Sequence, residues 1–177
     1  KIELVGFTSK DIKTSCIRES VILVTGAAGS IGSEISRQIV NLKPRKVILL
    51  DHSESDLYKI NLELEKIFNK QKIKSEFILG SVIDKLFMLE LIKKHSINII
   101  FHCAAYKHVP ILEANPLVGI YNNVFSTKII CECSELPSIN KIILISTDKA
   151  VRPTNVMGAS KRLAELIIQA YDDKEKI

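Results

Sequence analysis

Apolar positions along the chain fall into two alternating patterns. Short runs rich in β-branched residues, at 21–25, 46–51, 76–80, 98–102 and 141–146, predict strands. Between them, apolar residues at helical spacing predict helices over 30–42, 53–69, 84–95, 115–136 and 155–171. The strand runs are apolar almost throughout, as strands buried on both faces require. Alternation of this kind implies βαβ units and a parallel sheet covered on both sides, an α/β, Rossmann-like doubly wound fold. Asp84 reads as the N-cap of the third helix, and Asn115 with Pro116 as an N-cap and N1 pair for the fourth. Residues 1–20 mix polar, charged and apolar positions irregularly and read as a linker or N-terminal arm. Residues 21–177 then make one domain with one core.

Composition narrows the class without changing the architecture. A chain of 177 residues with 46% hydrophobic and 25% charged positions suits one buried core. The net charge of +5 comes from lysines scattered along the sequence with no cluster interleaved with aromatics, which argues against nucleic acid and suits a small polyanion better. Cys16, Cys103, Cys131 and Cys133 contain no C-x-x-C pair, so neither a zinc site, any other metal site nor a disulfide framework is expected, and a reducing compartment is. Cys131 and Cys133 lie on different faces of their helix and read as packing residues, as do Phe87, Met88 and Leu91. His95, with Lys93 and Lys94, reads as a charge complement to a helix C-terminus. No apolar run approaches the roughly 20 residues that a membrane helix needs, and no signal-peptide core is present, so a soluble, cytoplasmic chain is expected.

The first candidate chemistry follows the first strand. Gly26, Ala27, Ala28, Gly29, Ser30, Ile31 and Gly32 complete a T-G-x-x-G-x-x-G loop between a strand and an amphipathic helix. Free N–H groups at that helix start suit a pyrophosphate, and the glycines permit a tight turn and close phosphate approach. About twenty residues further on, Asp51 ends the second strand, where an acidic side chain accepts hydrogen bonds from an adenosine ribose. A carboxylate there repels a 2′-phosphate, which favours NAD; NADP stays open because Arg37 and His52 are placed to hold such a phosphate. Lys107 and His108 follow the fourth strand, at the carboxyl-end crevice where open α/β sheets bind ligands, and so are candidates for substrate or cofactor phosphates. Ala104 and Ala105 allow close backbone approach to the cofactor.

Residues 145–161, ISTDKAVRPTNVMGASK, resemble the catalytic stretch of a short-chain dehydrogenase/reductase, with Met157 where the tyrosine of the Tyr-x-x-x-Lys pair would stand. Together with 102–110 (HCAAYKHVP), Asn122-Asn123-Val124, the glycine loop and Asp51, the chain resembles the nucleotide-binding half of the UDP-N-acetylglucosamine 4,6-dehydratases in the CapD-like polysaccharide-biosynthesis family of extended short-chain dehydrogenases. Methionine at position 157 resembles the large, membrane-anchored members that retain configuration at C5, which would place the domain at the inner face of a membrane if it belongs to a longer protein. The resemblance implies a tightly held NAD(P), a UDP-linked N-acetylhexosamine and a role in surface glycan synthesis. It also implies cofactor contacts at Ser53, Ser81 and Val82, with Ser81 standing where many relatives carry an acidic residue against adenine.

The same resemblance makes Asp148 the acid and Lys149 the C5 base of an elimination, with Thr147 near the sugar O4. It places Lys161 on the nicotinamide ribose and Asn123 beside the substrate. Asp148 must then be protonated and Lys149 neutral. A thioether has no ionisable proton, so Met157 cannot take the C4 hydroxyl proton, leaving Asp148 or a water. Relatives carry further strands and a substrate-binding region after the Met157 helix, so a complementing C-terminal chain or a homo-oligomer is an expected partner. Three readings follow: a sugar-nucleotide dehydratase, a catalytically silent NAD-binding remnant or subunit, and a 4-epimerase, which the methionine and the Thr147-Asp148-Lys149 triplet disfavour.

Overall fold

A computed structural model describes residues 17–174. Five parallel strands form one sheet in the order β3-β2-β1-β4-β5. These are β1 (Val21–Thr25), β2 (Lys46–Asp51), β3 (Lys74–Leu79), β4 (Ile99–His102) and β5 (Lys141–Leu144). The connecting helices are α1 (Ser30–Asn41), α2 (Glu54–Gln71), α3 (Lys85–His95), α4 (Val109–Ala114), α5 (Pro116–Ile120), α6 (Ser126–Cys133) and α7 (Val156–Lys174). Most of the predicted arm lies outside the described residues, but Ile17 is fully buried against the core and Ser20 is nearly so.

Side chains alternate across each strand and so feed two cores. Ile22, Val24, Val47 and Leu49 pack under α1 and α2 with Ile39, Leu64 and Phe68. Val21, Leu23, Ile48 and Leu50 pack under α3 and α6 with Met88, Ile92 and Ile130. Leu144, Cys131, Ala164 and Ile168 form a smaller cluster beneath α7. Met88, Leu91, Cys131 and Cys133 are buried as the spacing predicts, and Phe87 packs partly buried beside them.

Several local expectations need correction. Asp84 does cap α3, its Oδ1 accepting from the Phe87 N–H at 3.0 Å. Asn115 makes no such bond to α5; its amide instead donates to the Ile111 carbonyl at 3.0 Å and closes the end of α4. The predicted helix 115–136 is broken into α5, a wider π-type turn over Tyr121–Phe125, and α6. The strand predicted at 76–80 begins at Lys74, because an edge strand needs no apolar start. His95 is no cation at a helix end. Its side chain is enclosed, its Nδ1 lies 3.0 Å from the Lys46 ammonium, and burial, reinforced by that ammonium, lowers its pKa.

Candidate functional site

The carboxyl ends of β1, β2 and β4 open into a cleft of about 660 Å³, within the size range of small-molecule sites. Gly26, Ala28, Gly29, Asp51 and Ser53 line one side of it, and Ala104, Ala105, Lys107 and His108 the other. A recess of about 20 Å³ adjoins it, walled by Gly80, Ser81 and Val82.

Glycine is required at two points of the loop. Gly26 has φ +64°, and a Cβ there would stand 2.7 Å from the Ala104 backbone. A Cβ on Gly32 would meet the Gly26 carbonyl oxygen at 2.1 Å, so Gly32 is what lets α1 start directly behind the loop. Asp51 locks this arrangement. Its two carboxylate oxygens accept from the Ala28 N–H at 2.9 Å and the Ser53 N–H at 3.0 Å. A carboxylate has about four acceptor sites, so acceptor capacity for a ribose hydroxyl is left. Ser53 donates its hydroxyl to Asp56, a second carboxylate lining the cleft, which the Lys59 and Ser53 hydrogen bonds hold below the usual carboxylate range. Ser30 is exposed at the loop and receives a hydrogen bond from the Lys107 ammonium at 3.2 Å. Ile31, by contrast, is 53% exposed and lines neither cavity.

Arg37 is not free to meet a 2′-phosphate. Its guanidinium donates to both carboxylate oxygens of Glu63, at 2.6 and 3.0 Å, and to Glu34 at 3.1 Å. The Glu63 hydrogen bonds raise its pKa above the ordinary arginine value. His52 remains at the cleft, edge-on to Tyr106 with ring centroids 6.1 Å apart.

Asn123 is not a substrate contact. It is 2% exposed, and all its polar capacity is spent. Its Oδ1 accepts from the Tyr106 N–H at 2.7 Å and the Asn122 amide at 3.0 Å, while its Nδ2 donates to the Tyr106 carbonyl at 3.0 Å and Ser160 Oγ at 2.9 Å. It therefore holds the Ala104–His108 loop against α7. Beneath it, the Thr127 hydroxyl donates to the Asn123 carbonyl at 2.9 Å, so Thr127 Oγ1 accepts from His102 Nε2–H at 3.2 Å. His102 Nδ1 then accepts from Thr25 at 2.8 Å. Complete burial pushes the His102 pKa down to about 3, with Lys161 adding to the shift, and the ring is neutral.

The second candidate group lies at the end of β5. Thr147, Asp148 and Lys149 run into a tight helical turn, with the Thr147 hydroxyl donating to Asp148 Oδ1 at 2.9 Å. Gly158 clamps that turn to α7: a Cβ there would meet the Lys149 carbonyl oxygen at 2.3 Å. Two carboxylates brace the helix. Glu113 accepts from the Val156 N–H at 2.6 Å, and Glu165 accepts from the Ser146 hydroxyl at 2.5 Å. Met157 is buried at 5% exposure. Lys161 is buried as well, donates to the Ile145 carbonyl at 2.5 Å, and has its pKa pushed down to about 8 by burial, opposed by Cys103 and Glu165. Cys103 lines the cleft, and burial pushes its pKa up to about 12, so it is a neutral thiol.

Asp148 behaves opposite to the expectation of a protonated acid. Its side chain is 90% exposed, and the Thr147 hydrogen bond, aided by Lys149 with Nζ 3.7 Å away, holds its pKa below the usual carboxylate range. None of Thr147, Asp148, Lys149, Met157 and Lys161 lines the larger cleft. The fold thus brings the glycine loop, Asp51 and the Ala104–His108 loop together around one cavity, and sets the triplet and Lys161 beside it. Sequence reasoning missed Asp56, Cys103, Glu113 and Gly158; only the run of small residues at 158–160 hinted at the close helix approach.

The family described as "Polysaccharide biosynthesis protein" matches residues 22–177. Capsular polysaccharide biosynthesis protein CapD of Staphylococcus aureus is 43% identical over 157 residues, covering 89% of this chain and 26% of that protein. An uncharacterized membrane protein of Methanocaldococcus jannaschii is 41% identical over 162 residues, covering 90% of this chain and 46% of that protein. A UDP-N-acetylglucosamine 4,6-dehydratase (inverting) of Campylobacter jejuni is 31% identical over 153 residues, covering 86% of this chain and 43% of that protein. The chain therefore spans between about a quarter and just under half of these relatives. UDP-glucose 4-epimerases also match, that of Rickettsia rickettsii at 32% identity. Among solved structures, Pen from Bacillus thuringiensis shares the fold with a TM-score of 0.82 at 24% identity, over 90% of this chain and 48% of that one. DesIV, a dTDP-glucose 4,6-dehydratase from Streptomyces venezuelae with NAD and TYD bound, does so at 0.74 and 23%, over 89% and 53%.

Proposed function

The chain belongs to the polysaccharide biosynthesis protein family, and from that premise we propose that it is the NAD-binding part of a UDP-N-acetylhexosamine 4,6-dehydratase. The family brings it among nucleotide-sugar dehydratases and epimerases. Residues 17–174 are then one cofactor domain, and the substrate region belongs to the further length that the relatives possess.

A dinucleotide fits the residues present. The loop at Gly26 to Gly32 offers backbone without side-chain obstruction, Ser30 and Lys107 flank the phosphate position, and Asp51 faces the ribose. NAD is preferred to NADP because Asp51 and Asp56 are both carboxylates on that side and Arg37 is held by Glu63 and Glu34. Ser81 and Val82 border the adenine, since the recess of about 20 Å³ they wall is too small to hold the base itself. A bound nicotinamide would supply reversible hydride storage between the sugar C4 and C6, so that the overall reaction loses only water.

The triplet supplies the proton steps. Met157 has no proton to exchange, whereas Asp148 is exposed and ionised, so Asp148 accepts the C4 hydroxyl proton as hydride leaves C4. Now protonated, it delivers that proton to the C6 hydroxyl, which departs as water. Once its ammonium has released a proton to the solvent that reaches its half-exposed side chain, Lys149 removes the C5 proton, acidified by the C4 carbonyl, and returns it when C6 has been reduced. Return to the same face retains the C5 configuration. Lys161 holds the nicotinamide ribose, and His108 with Lys107 contacts the substrate phosphates.

The observation that most supports this reading is the Gly158 clamp, which fixes the Thr147-Asp148-Lys149 turn against the helix that carries Lys161. One observation favours a second reading, a cofactor-binding module without turnover: Asp148 and Lys149 stand largely exposed, with each other as their charged partners. The test is incubation of the protein carrying this chain with NAD and UDP-N-acetylglucosamine. A UDP-sugar lighter by one water is expected. A product of unchanged mass would mean epimerisation, and NAD binding without product would favour the silent module. The membrane description of the M. jannaschii relative supports a setting next to a membrane for this domain too. No helix among the described residues is itself long and apolar enough to cross one.

A further inference from the structure

Basic residues that are scattered along the sequence converge when the chain folds. In an all-parallel sheet every strand starts at the same end, so the segments leading into the strands share one face. Arg18 precedes β1, Arg45 precedes β2, Lys72 and Lys74 straddle the start of β3, and Lys93 and Lys94 end α3 ahead of β4. Backbone bonds knit these segments together: the Arg45 N–H reaches the Ser20 carbonyl at 3.0 Å, Asn98 reaches Val21 at 2.9 Å, and Asn140 reaches Asn98 at 2.8 Å. All six side chains are exposed, and none is in a salt bridge with a described residue. Of the carboxylates on this face, Glu76 is taken up by Lys46, and Glu19 and Glu65 are outnumbered by the six basic residues.

Helix dipoles account for Lys93 and Lys94, which lie in the last turn of α3. They also account for Arg18, which is helical just ahead of β1, and for Lys72 at the C-cap of α2, but not for Arg45 or Lys74, which lie outside helices. The opposite end of the sheet, where the cleft opens, mixes both signs, with Asp51, Asp56, Asp84 and Asp148 beside Lys85, Lys107, Lys149 and Arg152.

We infer that this pole is a docking face for an anionic phospholipid surface. A plane of lipid headgroups presents negative charge in the geometry of the face, and juxtamembrane basic residues draw protein to it within a Debye length. Nucleic acid fits less well. None of the exposed large apolar side chains, aromatic ones included, lies in these entry segments, so no base could stack and no side chain inserts. Binding is peripheral and electrostatic. The chain enters β1 through this face, and the cleft lies a strand length away, about 17–20 Å, at the pole that points off the membrane. A membrane-bound domain therefore still receives a water-soluble nucleotide sugar. This inference rests on charge placement and on the membrane setting proposed above, and is independent of the reaction performed.

The test is co-sedimentation of the protein with vesicles of phosphatidylcholine alone and of phosphatidylcholine with about one-third phosphatidylglycerol. Binding to the anionic vesicles only is expected, with loss when salt shortens the Debye length to about 3 Å. The double variant Lys72→Glu/Lys74→Glu should bind at least about tenfold more weakly with NAD affinity unchanged. Lys59→Glu, a single charge reversal toward the other pole, should bind as the parent does, and far-UV circular dichroism checks that each variant is folded. Equal binding to neutral vesicles, no binding to either, or an unaffected double variant overturns the inference. So does release of the protein from anionic vesicles by a stoichiometric amount of single-stranded DNA, which would make nucleic acid the better ligand.

Discussion

The two halves of the sheet prepare their ends differently. Around β1 and β2 the cofactor side is finished by backbone: two glycines that tolerate no Cβ, and a carboxylate that ties loop to strand. Around β4 and β5 the reaction side is finished by side chains, and its rigid parts are buried beneath the reactive ones. His102, Asn123 and Lys161 are enclosed and hydrogen-bonded, while Asp148 and Lys149 project outward. A dinucleotide needs a fixed surface to lie on, which backbone provides. Proton transfer needs groups whose charge can change, and those keep their freedom only where water or substrate reaches them. Perturbing the first half should therefore break binding and folding together, whereas perturbing the outermost part of the second should break turnover alone.

The largest effect expected is from Gly32→Ala. Its Cβ would collide with the Gly26 carbonyl, so calorimetry should find no NAD binding and denaturant unfolding a loss of about 4 kcal/mol or more. Next is the buried histidine. Its folded pKa of about 3 lies below the ordinary 6.5, so the unfolded chain takes up the proton first. The stability held above pH 6.5 is lost as pH falls toward 3, by about 4 kcal/mol from this group. The His102→Gln variant should lack that share of the acid loss, and the gap between it and the parent should narrow in urea titrations as pH falls.

Lys161 supplies a smaller effect of related origin. Its folded pKa of about 8 lies below 10.5, so burial of the cation weighs on the fold at neutral pH and is relieved as pH rises from 8 to 10.5, by about 3 kcal/mol. Lys161→Met should flatten that alkaline rise in thermal melts and weaken NAD binding by about tenfold or more. The smallest effect on stability belongs to Asp148→Asn, which should unfold as the parent does because the side chain is exposed. NAD binding should be unchanged while water elimination is lost. A destabilised Asp148→Asn, or a Gly32→Ala variant that still binds NAD, would erase the contrast between the halves.

Much of this was legible in the chain. β1 and β2 lie where their apolar runs lie, because central strands are buried on both faces and carry an unbroken signal. β3 began earlier than its apolar residues because it is an edge strand with polar positions at its start. The positions of the glycine loop and Asp51 were readable since they are set locally, by backbone space and a strand end. Asn123 was misread because its partners, Tyr106 and Ser160, are 17 and 37 residues away. Arg37 was misread for the same reason, with Glu63 lying 26 residues along on the neighbouring helix. The π-type turn at Tyr121–Phe125 has no compositional mark, and α4 is too short, with Pro110 near its start, to show a period.

The account turns on hydride leaving C4 and arriving at C6 of one sugar. The most direct measurement uses UDP-N-acetylglucosamine deuterated at C4, with the product analysed by mass spectrometry and NMR. A sugar that has lost one water and carries the deuterium at C6 is predicted. Deuterium restored at C4 of an epimerised sugar, or substrate recovered unchanged from an enzyme saturated with NAD, would contradict it.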